Sequence, residues 1–563
     1  MKKEIVKLLK KPLKDLKVDL KDEQIEKIIE IPPSPGMGDY SFPCFFLADR
    51  MKMSPHEIAL EIREKIGDFP ETEFEDVETD GPYVNFFVNR KSLARQVVWD
   101  VITQKKKYGE SKEGQGKKVI VEFSSPNIAK PFGIGHLRST IIGNSLANIF
   151  EFSGYKVTKI NYPGDWGTQF GRLLAGYQKF GKEKLLLKDP INYLLKVYVK
   201  ASNKKYDKSA LEWFKKMEDG DRKALLLWKL FKGFSMEDLK KTYKLLGIKF
   251  DAYEAESQYN KKARELLEEL KEKKIVKKSK GAQIIELEAQ GLGTAVIEKS
   301  DGTTLYATRD LAAAIDRQKR YKFDRMIYEV GQEQKLYFKQ LFKILEMMGY
   351  KWAKSCVHVD HGLYLGKSGK KFSTRKGSTI FLKDILNETV SLAKQEIMKR
   401  DKGISKKALE ERALKTAIAA IFYGDLKNNR ANNIVFDLKK FVSFDGDTGP
   451  YILYSYARAS SILRKIKKQS KPITINELKR SEIELSKKLN EFKTITLKAY
   501  TSLNPTLIAN YAYQLSQIFN EFYHECPVLG SEREYFRKGL VEAFVQVLRN
   551  SLSLLGIDTL EEM

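Results

Sequence analysis

The alternation of apolar and polar positions changes period several times along this chain, and each change marks an element. Lys118-Val-Ile-Val-Glu-Phe123 is a β-branched run that reads as a buried strand. A loop punctuated by Pro126, Pro131, Gly133 and Gly135 follows it. Leu137, Ile141, Leu146 and Ile149 then recur at roughly helical spacing, and Gly154 stands where a helix C′ residue belongs. Further strand-like runs at 156–161, 326–331 and 355–360 alternate with helical stretches, the order of an α/β fold built on a parallel sheet. The helical interval 183–272 is too long for a simple crossover and predicts an insertion. From 406 onward the pattern is almost wholly helical, as in Leu414–Tyr423 and Ile452–Lys465. The first hundred residues alternate short helical and strand-like patterns and end in Gly81-Pro-Tyr-Val-Asn-Phe-Phe-Val88, a predicted strand. A polar, glycine-rich stretch at 105–118 closes that part. The expected domains are therefore 1–110, 117–405 with the insertion at 183–272, and 406–563.

Composition narrows the class. A chain of 563 residues with 42% hydrophobic and 11% aromatic content can bury several cores and is not a disordered one. Its formal net charge of +27 favours a polyanionic partner, RNA or DNA ahead of a membrane. Cys44, Cys356 and Cys526 lie far apart with no Cys-x-x-Cys spacing, which argues against a disulfide framework and against structural zinc. The Met-Lys-Lys-Glu-Ile start lacks the apolar core of a signal peptide. No apolar run approaches the roughly 18 residues of a membrane span, so no membrane association and a cytoplasmic location are expected.

Candidate chemistry concentrates in Val121-Glu-Phe-Ser-Ser-Pro-Asn-Ile-Ala-Lys-Pro-Phe-Gly-Ile-Gly-His136-Leu-Arg-Ser-Thr140. A strand–loop–helix unit aims the free N–H groups and positive end of its helix at whatever lies over the loop. That makes an anion site, and phosphate is its usual occupant. His136 and Lys130 add donors and charge beside it, so the segment is expected to hold a nucleoside triphosphate.

Four more segments follow in a recognisable order: Tyr162-Pro-Gly-Asp-Trp-Gly-Thr-Gln-Phe-Gly171, Leu305-Tyr-Ala-Thr-Arg-Asp310, Phe372-Ser-Thr-Arg-Lys-Gly377 and Asp447-Thr-Gly-Pro-Tyr451. Together with 121–140 they resemble the arginyl-tRNA synthetases, a family of class I aminoacyl-tRNA synthetases, and the resemblance runs from the first hundred residues to Met563. It implies a Rossmann-like catalytic domain with a helical insertion, an added α+β N-terminal domain touching the tRNA elbow, and an all-α C-terminal anticodon-binding domain. It also implies the reaction. ATP and L-arginine form arginyl-adenylate and pyrophosphate, and the arginyl group then moves to the 3′ end of tRNA(Arg) with release of AMP. ATP is expected with Mg²⁺, no metal is expected on the protein itself, the chain is expected to act as a monomer, and tRNA is expected to be needed before arginine is activated.

In the family's first ATP motif, His-x-Gly-His, two imidazoles and a close-approaching glycine meet the phosphates. Gly135 and His136 match, whereas Gly133 occupies the first His position. One preorganised donor is worth roughly 2.7–4 kcal/mol to a transition state, so Lys130 is the candidate substitute. The second motif, Lys-Met-Ser-Lys-Ser, corresponds to Lys371-Phe-Ser-Thr-Arg375. Lys371 and Ser373 match, Thr374 replaces the second lysine, and Arg375, Lys376 or again Lys130 supplies the charge. The resemblance thus makes His136, Lys130, Lys371 and Ser373 catalytic, and Gly133, Gly135, His136, Lys371, Ser373 and Arg375 ATP-binding.

A guanidinium is best met by a carboxylate, whose two acceptors satisfy its planar fork. The resemblance assigns that part to Asp310, with Tyr306 four residues earlier on the same helical face. Glu122 adds a second carboxylate, and Asn127 and Gln334 match positions that hold the amino acid's polar backbone end. For tRNA the resemblance points to Asp80, Tyr83 and Asn85 near the N-terminus and to Tyr451, Tyr454 and Met563 near the C-terminus. Taken without the family, Tyr83 reads as a strand residue packing inward, and aromatics spaced like Tyr451 and Tyr454 read as helix core. Two rivals are weighed. A synthetase for another amino acid is opposed by Asp310 with Tyr306; a catalytically weak RNA-binding paralogue is suggested by Gly133 and Thr374.

Overall fold

The computed structural model describes the chain apart from residues 35–36, 72, 300–305, 367–368, 370–380 and 467–476 and the side chains of 438–439. It divides into two compact units. One comprises Met1–Lys106, Ile462–Glu491 and Gln517–Val547, and the other Lys107–Ser461, Phe492–Ser516 and Leu548–Met563.

In the first unit, strands β1 (Tyr40–Pro43), β2 (Phe74–Asp80) and β3 (Tyr83–Val88) make an antiparallel sheet in the order β1-β3-β2. Gly81 takes a φ of +53°, which lets the chain reverse between β2 and β3. Phe42, Phe74, Val77, Val84 and Phe86 share one core with two helices. The Lys2–Asp15 helix supplies Ile5, Leu9 and Leu13, apolar at four-residue spacing, and the Pro55–Ile66 helix supplies Ile58 and Ile62. Ser54 and Glu57 start the second of these helices with a reciprocal capping box, at 3.2 and 2.9 Å.

The second unit is organised by five parallel strands: β4 (Lys118–Glu122), β5 (Lys156–Asn161), β6 (Ala252–Tyr253) and, after a separate antiparallel sheet of β7 (Lys277–Ser279), β8 (Ala282–Glu286) and β9 (Thr294–Glu298), β10 (Arg325–Gly331) and β11 (Cys356–His361). Their order is β11-β10-β4-β5-β6. Val119, Ile120 and Val121 are buried, as a central parallel strand covered on both faces requires. The interval 183–272 holds five α-helices, Glu183–Lys188, Pro190–Ala201, Asp207–Glu218, Arg222–Leu245 and Asn260–Glu272, yet it also contains β6, which extends the sheet beside β5. A two-residue strand leaves no periodicity to read, so the sequence pattern passes over it.

The Ile134–Phe152 helix follows β4 and is buried along most of its length. At Gly143 a Cβ would collide with the Phe123 side chain, so only glycine lets the helix lie this close to the strand's continuation. Gly154, at φ +87°, stands just past its end. The chain runs β4, β5, β6 in one direction and then returns through β10 to the other side of β4. That reversal opens a crevice at the carboxyl ends of β4 and β10, the place where open α/β sheets bind ligands. No helix among the described residues is long and apolar enough to cross a membrane.

Candidate active site

The loop leaving β4 is unusual in its backbone. Ser124, Ser125 and Ala129 all have positive φ, at 70°, 35° and 62°, a region that side-chain-bearing residues adopt only under constraint. Gly133 then enters the Ile134–Phe152 helix with extended backbone, and its carbonyl accepts the His136 N–H at 3.0 Å. The His136 ring turns back so that Nδ1 accepts the Gly133 N–H at 3.4 Å. An imidazole that accepts at Nδ1 carries its proton on Nε2, so the remaining nitrogen is a donor. Burial, helped by the charge of Lys130, lowers its pKa to about 4, which keeps it neutral near pH 7. Lys130 and His136 are therefore in electrostatic reach of each other, and the Lys130 ammonium sits 4.6 Å from the Tyr198 ring centroid. Gly135 is exposed, and a Cβ there would meet nothing within 4 Å, which leaves the first helical turn open to a ligand. Lys371, Ser373 and Arg375, with Thr374 and Lys376, lie outside the described residues.

The acidic side of the crevice is built around Asp310. Its carboxylate accepts a hydrogen bond from the Tyr337 hydroxyl and forms no ion pair among the described residues. Burial raises its pKa, against the pull of the Tyr337 hydrogen bond and the nearby Arg309 charge. Tyr306 opens the Tyr306–Tyr321 helix one turn before Asp310; it is 45% exposed, and the Arg309 guanidinium lies 5.1 Å from its ring centroid. Glu256 joins this group without any sequence motif to announce it. It is buried, its Oε2 has no hydrogen-bond partner among the described residues, and Arg309 is 3.8 Å away. Burial drives its pKa well above the carboxylate range, with Asp310 pushing the same way and Arg309 opposing.

The Tyr162–Gly167 loop gives these side chains room. A Cβ at Gly164 would collide with the Asn127 side-chain oxygen and stand 3.4 Å from Glu256 Oε1, and one at Gly167 would stand 3.3 Å from the Tyr306 hydroxyl. Asn127 also pairs with Gly164 through an isolated parallel bridge, and its oxygen accepts from Gln169 Nε2 at 3.0 Å. Asn127, Glu256, Tyr306 and Asp310 are thus gathered around one loop. Gln334 is exposed and stands at the N-cap position of the Lys335–Met347 helix, which carries Tyr337 one turn later.

Glu122 is disposed differently from Asp310. Its carboxylate receives Nη1 of Arg317, whose Nε donates to Glu254 at 2.8 Å, so the protein's own guanidinium occupies it. Burial raises Glu122 to about 7 in spite of Arg317. Glu254 is pulled upward by burial too, but Arg317, Arg320 and Tyr321 outweigh it and bring it to about 2. The acid beside Asp310 is Glu256, 3.8 Å from the Arg309 guanidinium. Its only sequence cue is the Glu254-Ala-Glu256 pair just after Tyr253.

The residues expected to meet tRNA are spread over both units. Asp80 and Tyr83 face each other across the β2–β3 turn, Asp80 exposed and Tyr83 half-buried with its ring edge-on to Phe45 at 5.4 Å. Asn85 is 3% exposed and accepts the Ser41 hydroxyl. In the second unit, Tyr451 lies 5.6 Å from Tyr513, and Tyr454 is flanked by Arg400 and Arg458 at 5.2 and 4.8 Å from its ring centroid. Met563 packs against a cluster of Ala393, Ile397, Ala413 and Phe444.

Three family models match the chain in order: the arginyl tRNA synthetase N terminal domain over 3–88, the catalytic domain of class I (R) tRNA synthetases over 97–438, and the DALR anticodon binding domain over 452–563. An arginine–tRNA ligase of Clostridium perfringens is 44% identical over 557 residues, which is 97% of this chain and 98% of that protein. One from Clostridium acetobutylicum is 43% identical over 555 residues, with the same coverage of 97% and 98%. Among solved structures, the arginyl-tRNA synthetase of Plasmodium falciparum matches with a TM-score of 0.82 and 24% identity, over 100% of this chain and 99% of that one. The Thermus thermophilus arginyl-tRNA synthetase matches with a TM-score of 0.80 and 23% identity, over 99% of each chain. At such identities the structural matches speak for the fold.

Proposed function

The chain belongs to the arginyl-tRNA synthetase family and charges tRNA with arginine, and on that premise we propose how its residues divide the work. ATP, as its magnesium complex, lies over the first turn of the Ile134–Phe152 helix. Gly133 and Gly135 allow close approach there, and Lys371, Ser373 and Arg375 close on the triphosphate from the second motif. Arginine places its guanidinium between Asp310 and Glu256 with Tyr306 alongside, and its polar backbone end meets Asn127 and Gln334. A carboxylate oxygen of arginine attacks the α-phosphorus, the bond to the bridging oxygen of pyrophosphate breaks, and arginyl-adenylate forms. Charge moves onto the departing oxygens in that step, so stabilising it requires fixed donors more than covalent chemistry. His136 supplies a neutral Nε2–H donor, and Lys130 supplies the positive charge that a second imidazole would otherwise contribute. A hydroxyl of the terminal ribose of tRNA then attacks the activated carbonyl, AMP leaves, and arginyl-tRNA is released. Asp80 and Tyr83 face the body of the tRNA, with Asn85 buried beneath them against Ser41, and Tyr451, Tyr454 and Met563 face its anticodon end.

The observation that supports this arrangement most is Asp310, a carboxylate held by a tyrosine hydroxyl and joined to no cation among the described residues. Arginine-dependent ATP–pyrophosphate exchange, measured with and without tRNA, tests it. Exchange should require arginine and tRNA together. Asp310→Ala should lower arginine activation by at least roughly thirtyfold, the lower end of what loss of a buried charge partner costs, while tRNA binding persists. A variant that activates arginine normally would falsify the assignment.

A further inference from the structure

We propose that the Arg222–Leu245 helix of the insertion is a brace for the substrate loops, and that Ser235 and Tyr243 on it are positioning residues for arginine activation. The inference rests on the reading of the 124–136 segment given above. It starts from the strain in that segment. Three side-chain-bearing residues with positive φ persist only where their surroundings over-determine them, and this one helix supplies contacts to two of the three, Ser124 and Ala129.

Trp228, Lys232, Ser235 and Tyr243 recur at intervals of four, three and eight, which puts them along one helical stripe. The first two fix the loop after β5. Trp228 Nε1 donates to the Asp165 carbonyl at 2.7 Å, and Lys232 Nζ donates to the Asp165 carboxylate at 2.6 Å. Ser235 and Tyr243 fix the loop after β4. The Ser235 hydroxyl accepts the Ala129 N–H at 2.8 Å and donates to the Phe231 carbonyl at 2.7 Å, so both of its roles are committed. Ala129 is one of the positive-φ residues and directly precedes Lys130.

Tyr243 begins a chain of hydrogen bonds whose direction can be deduced. Thr140 Oγ1 lies 2.7 Å from the His136 carbonyl, which can only accept, so the Thr140 proton points there. At 2.6 Å from Ser124, Thr140 must then accept, and Ser124 donates. Ser124 in turn accepts from the Tyr243 hydroxyl at 2.8 Å, and the Tyr243 oxygen accepts from Asn161 Nδ2 at 3.1 Å. Every hydroxyl in the series gives one bond and receives one, from Asn161 through Tyr243, Ser124 and Thr140 to the peptide of His136. The members are buried, so a broken link finds no replacement from solvent. The helix therefore grips the loop at two points, next to Lys130 and at the backbone of His136, the two groups assigned to the phosphates.

Ser235→Ala, Ser235→Thr and Tyr243→Phe separate positioning from mere folding, with Leu230→Ala, on an exposed residue of the same helix, as the control. Arginine- and tRNA-dependent exchange and thermal unfolding are measured for each. Ser235→Ala and Tyr243→Phe should lower kcat between about tenfold and a hundredfold, the scale of a misplaced reacting group, with unfolding midpoints close to the parent's. Ser235→Thr, which keeps the hydroxyl, should recover most of the rate, and Leu230→Ala should leave it unchanged. Parent-like rates in both Ser235→Ala and Tyr243→Phe would overturn the proposal. So would losses that appear equally in Ser235→Thr, or that follow lowered midpoints and vanish on cooling. Absence of arginine-dependent exchange in the parent would instead sink the functional reading on which the proposal stands.

Discussion

The Tyr337 hydroxyl donates to the Asp310 carboxylate although the two residues stand on different helices, Lys335–Met347 and Tyr306–Tyr321. A neutral donor orients a carboxylate without cancelling its charge, so the acid stays available to a cationic ligand. The same bond holds the Asp310 pKa down against burial. Tyr337→Phe should therefore let that pKa climb. Arginine needs the ionised form, and protonation on the acid side removes it. The acid limb of kcat/KM for arginine should move to higher pH in the variant, by about one to two pH units for a hydrogen bond to a charged group. Rates well above that limb should stay near the parent's. A pH profile with an unshifted acid limb would show that the tyrosine plays no part in holding Asp310.

In the proposed arrangement Lys130 takes the role left open by Gly133. Lys130→Ala should lower the exchange kcat by about 10²–10³-fold, the range seen when one preorganised transition-state donor is lost, and Lys130→Arg should lose much less. If Lys130→Ala exchanged at the parent rate, the compensation would be ruled out.

His136 links the phosphate end of the site to acid stability. An unfolded imidazole takes up its proton near 6.5, the folded one only near 4, so between those values the unfolded chain binds more protons. Stability contributed by the neutral ring is present above 6.5 and is lost as the pH falls toward 4, with a slope of up to about 1.4 kcal/mol per pH unit. Urea unfolding across this window should show that slope in the parent, and His136→Asn should flatten it. Identical slopes in the two proteins would mean that the ring is not held neutral.

Much of this was legible in the chain itself. β4 is an apolar run because a strand covered on both faces must be, β5, β10 and β11 keep enough apolar positions to be read as strands, and the helix after β4 shows its apolar spacing because it is buried. Asp310 and Tyr306 are legible through the family resemblance, and their four-residue spacing puts them on one helical face. What the sequence hides depends on distance. Arg317 reaches Glu122 across 195 positions, and Tyr337 reaches Asp310 from another helix, so no local pattern separates the occupied acid from the open one. Glu256 belongs to no periodic stretch. The positive φ of Ser124, Ser125 and Ala129 is equally silent, since none is glycine and the contacts that Ser124 and Ala129 receive from Tyr243 and Ser235 come from more than a hundred residues away. Asn85 shows the converse. Its polar side chain suggests a surface, yet it lies buried against Ser41.

Arg317, clasped by Glu122 and Glu254, has a bearing on redesign. The interior already contains a bound replica of the substrate's head group, anchored by two acids that the substrate never has to displace. On the proposed arrangement, retargeting the pocket to an uncharged isostere of arginine is therefore a problem at Asp310 and Glu256. On that arrangement, neutralising Glu122 or Glu254 would strip an internal cation of one of its two partners and unsettle the buried cluster rather than retarget the pocket.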